Sequence, residues 1–223
     1  LKTILLYYLF CFVIFLIFIF NFTIKGLLLD IAFFDFDGTI TRGDSFQLFL
    51  RFVLGKRFYI KMLENLPTLI GYKLGLIDNS RAKERVLKSC FKGMEKDKLD
   101  KYCTDFVSDL ESFCKDSALQ KMQWHKENNH VVVLVSASFE EYLRPLCKTF
   151  DIHLLATTME VKDGKITGNF AQPNCYGPEK ERRIKENYDL TQYERIYVYG
   201  DTRGDREMLA LASPNLAFFR VFH

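Results

Sequence analysis

The sequence predicts an α/β fold: a Rossmann-like parallel sheet with helices on both faces and an inserted helical cap. Three observations carry that reading. Apolar runs of strand length recur, at Ile31-Ala32-Phe33-Phe34, Val131-Val132-Val133-Leu134-Val135 and Ile196-Tyr197-Val198-Tyr199. Near-continuous apolar strands are those buried on both faces of a parallel sheet. Segments of helical period separate them, and that alternation builds a sheet wound on both sides. Finally, a long helical block, residues 44–117, falls between the first strand and the rest, so it reads as an insertion.

In chain order, residues 27–34 read as the first strand and 35–44 as the loop behind it. Amphipathic helices follow over 46–54 and 57–75, interrupted near Gly55 and Pro67, then over 80–91, 95–115 and 119–129. The strand 131–135 leads to a helix over 139–150 and a strand over 154–158. Residues 159–170 have a hairpin pattern, with Asp163-Gly164 at a tight turn. A helix opens at Pro178 and runs to about Tyr188. The strand 195–199 ends at Gly200-Asp201, and a helix over 205–212 stops before Pro214. The organisation expected is a core of residues 27–43 and 118–223, a cap of 44–117, and an N-terminal extension of 1–26.

That extension is unusual. Residues 4–24, which open with Ile4 and close with Ile24, carry no charge. As a helix they would span about 31 Å, enough for a hydrocarbon core of about 30 Å. A membrane anchor is one reading. The basic residues on its C-terminal side (Arg42, Arg51, Lys56, Arg57) would then favour a cytoplasmic catalytic domain. The other reading is that the mature protein starts downstream and is cytoplasmic. A cleaved signal peptide fits less well, because the basic leader is only Lys2 and no Ala-x-Ala-like site follows.

The bulk numbers exclude some classes. With 223 residues there is room for one domain and a small cap. A formal charge of +3 gives no nucleic-acid signature. The six cysteines show no Cys-x-x-Cys spacing, so reduced thiols are expected rather than a zinc site or a disulfide framework. The four histidines (His125, His130, His153, His223) are scattered, and surface or loop roles are expected for each.

The chemistry concentrates at the ends of strands. Asp35-Phe36-Asp37-Gly38-Thr39 follows the first strand directly. Residues two apart on a strand point to one face, so Asp35 and Asp37 are expected to project together. Two adjacent carboxylates repel unless a cation or a shared proton lies between them. That suits a hard metal ion with a carboxylate nucleophile, as phosphoryl transfer can use. Ser136 ends the second strand, and Ser138-Phe139-Glu140-Glu141 reads as a capping box opening the next helix, which would set Ser136 beside free N–H groups. Lys180 falls in a first helical turn, an unfavourable place for a cation unless an anion is near. Gly200-Asp201-Thr202-Arg203-Gly204-Asp205 adds a second acidic cluster, with Asp205 also placed to cap a helix. Ligand sites of open α/β sheets lie at this carboxyl edge. Asp35, the Asp37 carbonyl and Asp201 would supply the oxygen ligands that Mg²⁺ prefers.

Taken in order, Asp35-Phe-Asp37-Gly-Thr39, Ser136, Lys180 and Gly200-Asp201-Thr-Arg-Gly-Asp205 resemble the haloacid dehalogenase superfamily. The subclass most resembled, IB, includes phosphoserine phosphatases and phosphatidylglycerophosphatase C. The resemblance implies an Mg²⁺-dependent phosphomonoester hydrolase. It implies Asp35 as nucleophile, Asp37 as general acid and base, Ser136 and Lys180 on the phosphate, Asp201 on the metal, and Asp205 ligating it or orienting its water. It also implies an acid at the cap hinge that helps recognise the substrate. Asp44 lies near that place, but it can equally cap the helix beginning at Phe46.

Between Ser45 and Ile77, Arg51, Lys56, Arg57, Lys61 and Lys73 face one acid, Glu64, with aromatic residues interleaved. Core packing and solvation account for such a pattern, and so does a basic amphipathic surface lying on anionic lipid. The second account favours a membrane-proximal or lipid phosphate as substrate, and the first a small soluble phosphomonoester such as phosphoserine. A membrane-tethered binding module without catalysis is the alternative of another class.

Overall fold

The computed structural model describes residues 29–223. The expectation of an anchor over residues 4–24 therefore lies outside the described residues. Among the described residues, no helix is long and apolar enough to cross a membrane.

Strand β1 (Leu29–Phe34) is central because it is apolar on both sides. It pairs in parallel with β2 (Val131–Phe139) and with β6 (Tyr193–Gly200), Phe33 lying opposite both Val133 and Val198. The outer strands β3 (His153–Thr157) and β7 (Ala217–Phe219) complete a five-stranded parallel sheet of order β3-β2-β1-β6-β7. Alternate side chains serve opposite faces. Ala32 and Phe34 join one apolar cluster, while Ile31 and Phe33 join a second with Val133, Val135, Ile184 and Met208.

Between β1 and β2 run α1 (Ser45–Leu54), α2 (Arg57–Glu64), α3 (Leu66–Lys73), α4 (Asn79–Phe91), α5 (Lys96–Asp105), α6 (Val107–Ser112) and α7 (Asp116–Glu127). Phe46, Phe49, Leu87, Phe91, Leu99 and Phe106 from this block share one cluster with Phe139, Tyr142 and Leu146, the last two from α8 (Glu140–Phe150). The hairpin β4 (Met159–Lys162) and β5 (Lys165–Phe170) turns at Asp163 and Gly164, whose φ of 50° and 73° suit the tight turn predicted. Helix α9 (Pro178–Asn187) precedes β6, and α10 (Arg206–Leu209) follows it.

Several boundaries differ from expectation. The interruption expected near Pro67 falls at Asn65, because Pro67 in the first turn of α3 has no N–H with which to continue α2. The helix predicted over 95–115 divides at the buried Phe106. The helix predicted over 205–212 is a 3₁₀ turn, Arg203–Asp205, followed by the short α10. Strand β7 was not foreseen.

His125 also departs from expectation, whereas His130 lies in a loop as expected. His125 is fully buried on the same face of α7 as Ala118 and Met122, where it contacts the Tyr199 hydroxyl at 2.9 Å and His130 at 2.7 Å. Burial pushes its pKa down to about 3, so it stays neutral. His130 in turn reaches Asp30 at 3.2 Å. The five described cysteines are free.

The capping box expected at Ser138–Glu141 does not form. Strand β2 runs on to Phe139, which becomes the N-cap without a side-chain bond. The Ser138 hydroxyl is used elsewhere, and Glu141 accepts the Met159 N–H at 2.9 Å. Glu141 Oε2 is left out of water without a hydrogen-bond partner. Burial pushes this carboxyl up to about 7. A carboxyl raised on folding contributes stability that is complete below the unfolded pKa and is lost as pH rises through the folded value. The wild-type chain should therefore lose up to roughly 3 kcal/mol between pH 4.5 and 7 through this residue. Glu141→Gln should abolish that loss and be the more stable protein near pH 8. Denaturant titrations of both proteins at the two ends of this range check it, and parallel pH profiles would exclude it.

Candidate active site

The strand order reverses between β1 and β6, since β2 and β3 lie on one side and β7 on the other. The crevice beyond the carboxyl ends at such a point is the natural ligand site of an open α/β sheet. The Asp35 N–H donates to the Tyr199 carbonyl at 2.9 Å, which fixes Asp35 beside the end of β6. Gly38 has a φ of +83°, and a Cβ there would lie 2.4 Å from Asp201 Oδ2. Only glycine allows the two acidic loops to approach this closely. Thr39 then donates its hydroxyl to Asp201 Oδ1 at 3.1 Å.

Lys180, 1% exposed, rises from the first turn of α9 and donates to Asp35 and, at 2.7 Å, to Asp205. Two carboxylates thus offset the cation's unfavourable position at a helix N-terminus. Burial alone would lower its pKa, but Asp35 and Asp205 outweigh burial and keep it charged. Both oxygens of Asp205 are engaged. Oδ1 takes Lys180, and Oδ2 takes the N–H groups of Asp201 (3.1 Å) and Thr202 (2.9 Å) and the Thr202 hydroxyl (3.0 Å). Burial opposes its charge, yet Lys180 and these donors hold Asp205 below the usual carboxylate range. Asp35 goes the other way. Burial, with the nearby Asp205 charge, pushes it up to about 7 against the pull of Lys180. Asp201 is half-buried and raised by burial.

Carboxylate oxygens of Asp35, Asp201 and Asp205 lie within 4.8 Å of one another. Three carboxylates against one ammonium leave two negative charges, all on hard oxygen donors, and this fits a divalent cation such as Mg²⁺.

Asp37 is placed differently from expectation. Strand β1 ends at Phe34, so strand alternation no longer governs residues 35 and 37. The Asp37 carboxylate turns towards the cap, where it accepts the Ser45 N–H at 2.7 Å and the Ser138 hydroxyl. Its carboxylate lies outside the cluster of Asp35, Asp201 and Asp205, although Asp37 and Asp35 line the same cleft. Burial and the neighbouring Asp44 raise its pKa, against the Ser138 and Ser45 bonds. Ser136 is fully buried at the same edge, its Oγ accepting the Ser138 N–H at 3.0 Å. Asp44 caps α1 by accepting the Gln47 N–H at 3.1 Å, and it also lines the cleft.

Lys83 was not singled out from the sequence, and Ser138 was read there only as a helix cap. Lys83 reaches down from α4 and donates to the Ala137 carbonyl at 3.1 Å. Burial lowers its pKa, against Asp37 and Asp44. Nothing in the basic helix Asn79–Phe91 marks Lys83 among its two lysines and two arginines. Ser138 did leave a signal, since it lies two residues beyond Ser136 on the same strand.

A cleft of about 500 Å³ contains Asp35, Asp37, Lys180 and Asp205. A second hollow of about 300 Å³, lined by Phe46, Leu50, Met62, Leu69 and Val86, shares Asp44, Tyr72, Asn79 and Lys83 with it. Two other hollows, about 540 and 570 Å³, flank Lys126 and contain none of these acidic residues.

A carboxylate cluster around a buried lysine, at the switch point of a parallel sheet flanked by helices, places a polar site where open α/β proteins bind their ligands. The family model of haloacid dehalogenase-like hydrolases matches residues 32–210, and the chain belongs to that family. Protein CicA of Caulobacter vibrioides is 30% identical, over 85% of this chain and 85% of its own length. Histidinol-phosphatase of Neisseria meningitidis is 23% identical, over 84% and 89%. Among solved structures, a protein of unknown function from Bordetella pertussis Tohama I superposes with a TM-score of 0.72 at 21% identity, over 85% of this chain and 93% of that one. A phospho-aspartyl intermediate analogue of phosphoserine phosphatase gives 0.56 at 19% identity, over 83% and 84%.

Proposed function

We propose that this protein is an Mg²⁺-dependent phosphomonoester hydrolase that works through an aspartyl-phosphate on Asp35. The observation that carries the reading is Asp35 itself, a buried carboxylate against Lys180 beside Asp201 and Asp205. Asp35 attacks phosphorus in line with the leaving oxygen. Lys180 and Ser136 hold the phosphoryl oxygens and offset their growing charge. Asp37, kept protonated more readily than an exposed acid, gives its proton to the leaving alcohol. It then takes one from the water that hydrolyses the aspartyl-phosphate. Ser45 and Ser138 hold its carboxyl in place for both transfers. Asp35, Asp201 and the Asp37 carbonyl would hold Mg²⁺, with Asp205 fixing the Asp201 loop. The ion supplies electrostatic stabilisation and keeps Asp35 ionised.

The apolar hollow behind Asp44 and Lys83 favours a leaving group with a hydrocarbon part, hence a membrane-proximal or lipid phosphate. An anchor over residues 4–24 with a cytoplasmic catalytic domain would agree with that choice. A second reading, a small soluble phosphomonoester such as phosphoserine, is favoured by the opposite charges of Asp44 and Lys83 at the same mouth. A panel of lipid and soluble phosphate monoesters, assayed with and without Mg²⁺, tests both. No Mg²⁺-dependent release of phosphate from any of them would leave a binding module instead.

Asp201→Ala removes one hard oxygen ligand and leaves Thr39 without its acceptor. The Mg²⁺ concentration giving half-maximal activity should rise on the order of tenfold or more, or activity should vanish. An unchanged metal titration would place the ion elsewhere.

A further inference from the structure

Helices α2 and α3 turn an apolar row outward. Tyr59, Leu63, Leu66, Ile70 and Leu74 recur at spacings of three and four, so one helical face continues across the break at Asn65. These residues are 66%, 69%, 45%, 49% and 68% exposed, and Phe58 is the one buried residue of α2. A contiguous apolar patch of this kind on a solvent-facing surface marks an interaction site.

Its charges indicate the partner. Lys56, Arg57 and Lys73 flank the row, are exposed, and pair with no carboxylate among the described residues. Glu64, the one acid between Ser45 and Ile77, is already taken by Lys61 at 2.7 Å. A second copy docked face to face would set these cations against themselves. An anionic surface with an apolar interior satisfies both the row and its flanks. The same two helices border the site, since Met62 of α2 and Leu69 of α3 line the apolar hollow that shares Asp44 and Lys83 with the cleft.

We propose that the outer face of α2 and α3 docks on an anionic lipid bilayer. Tyr59, Leu63, Leu66, Ile70 and Leu74 lie at the hydrocarbon boundary, and Lys56, Arg57 and Lys73 lie among the phosphate headgroups. The docking extends the reading of the site as a phosphatase of membrane-proximal substrates, but its test reads binding and not hydrolysis.

The test is amide hydrogen exchange on the full chain, with vesicles of phosphatidylcholine alone or of equal parts phosphatidylcholine and phosphatidylglycerol. Peptides covering 57–76 should exchange more slowly with the anionic vesicles and as in free solution with the neutral ones. Peptides from residues 1–28 report separately on any attachment there, so an N-terminal contact cannot pass for docking of the cap. The pair Leu63→Glu and Ile70→Glu should remove the protection. The pair Lys56→Gln and Arg57→Gln should raise the lipid needed for it on the order of twentyfold. Hydrolysis of a soluble phosphate ester should stay unchanged in both. Equal exchange of 57–76 with both kinds of vesicle would overturn the proposal. So would protection that grows with protein concentration without lipid, which would mean a second copy, or protection by an acidic polypeptide but not by vesicles. Loss of ester hydrolysis in the unmodified chain would defeat the phosphatase reading and leave the docking result standing.

Discussion

Asp35→Asn should abolish turnover while leaving the fold intact. An amide cannot attack phosphorus as a carboxylate does, and the substitution keeps the shape of the side chain. Removing a nucleophile from a cooperating site costs on the order of 10⁴-fold or more in kcat. The effect on stability should be small or favourable, because burial already pushes Asp35 up to about 7 and disfavours its charge. Asp205 still pairs with Lys180 in the variant. The check is kcat on the best ester of the panel, with thermal unfolding on the same preparation. Substantial Mg²⁺-dependent turnover by a clean, folded variant would remove Asp35 from the nucleophile's role. In the unmodified protein, a fluoroberyllate adduct on the Asp35 carboxylate would support it directly.

Much of this arrangement was legible in the sequence, for a physical reason. Buried parallel strands must be apolar, so β1, β2 and β6 announce themselves. Asp35 and Asp201, which directly follow β1 and β6, and Ser136 near the end of β2 then fall at one edge of the sheet. Lys180 was marked by its conflict with the helix N-terminus, and the partners that resolve the conflict are carboxylates of the protein itself. The readings that failed assumed a local rule where tertiary structure prevails. The Asp37 carboxylate bonds to Ser45 and Ser138 rather than joining the Asp35 cluster, because the chain leaves the strand before either residue. Ser138 gives up its role as a cap because Asp37 offers its hydroxyl a charged acceptor. His125 is buried because its helix needs a residue on the sheet-facing side that can meet the Tyr199 hydroxyl. Strand β7 has three residues, too few for any periodicity to show. Lys83 was illegible for the opposite reason, since lysines are common on a helix such as α4 and only the fold determines which one enters the cleft.

Lys180→Met should produce the largest loss of stability and should also stop catalysis. The side chain is about the same length, so packing changes little and the effect isolates the charge. Asp35 and Asp205 would both lose the cation that faces them in a buried site. Breaking a buried ion pair by removing one partner costs about 3–5 kcal/mol, because a charge is left without compensation. For a chain of this size that corresponds to a fall in Tm of roughly 10 °C. Asp205 keeps its bonds from Asp201, Thr202 N–H and Thr202 hydroxyl, so the greater strain falls on Asp35. Adding Mg²⁺ should recover part of the loss, since a divalent cation at the acidic cluster would partly replace the missing charge. The decisive comparison is the double variant Asp35→Asn with Lys180→Met. Neutralising Asp35 removes the carboxylate that Lys180 had balanced, so the double variant should be more stable than Lys180→Met alone. That non-additive recovery is the signature of a direct coupling. If the double variant unfolds at or below the temperature of Lys180→Met, the two charges are not coupled, and the lysine's role in holding the nucleophile must be given up.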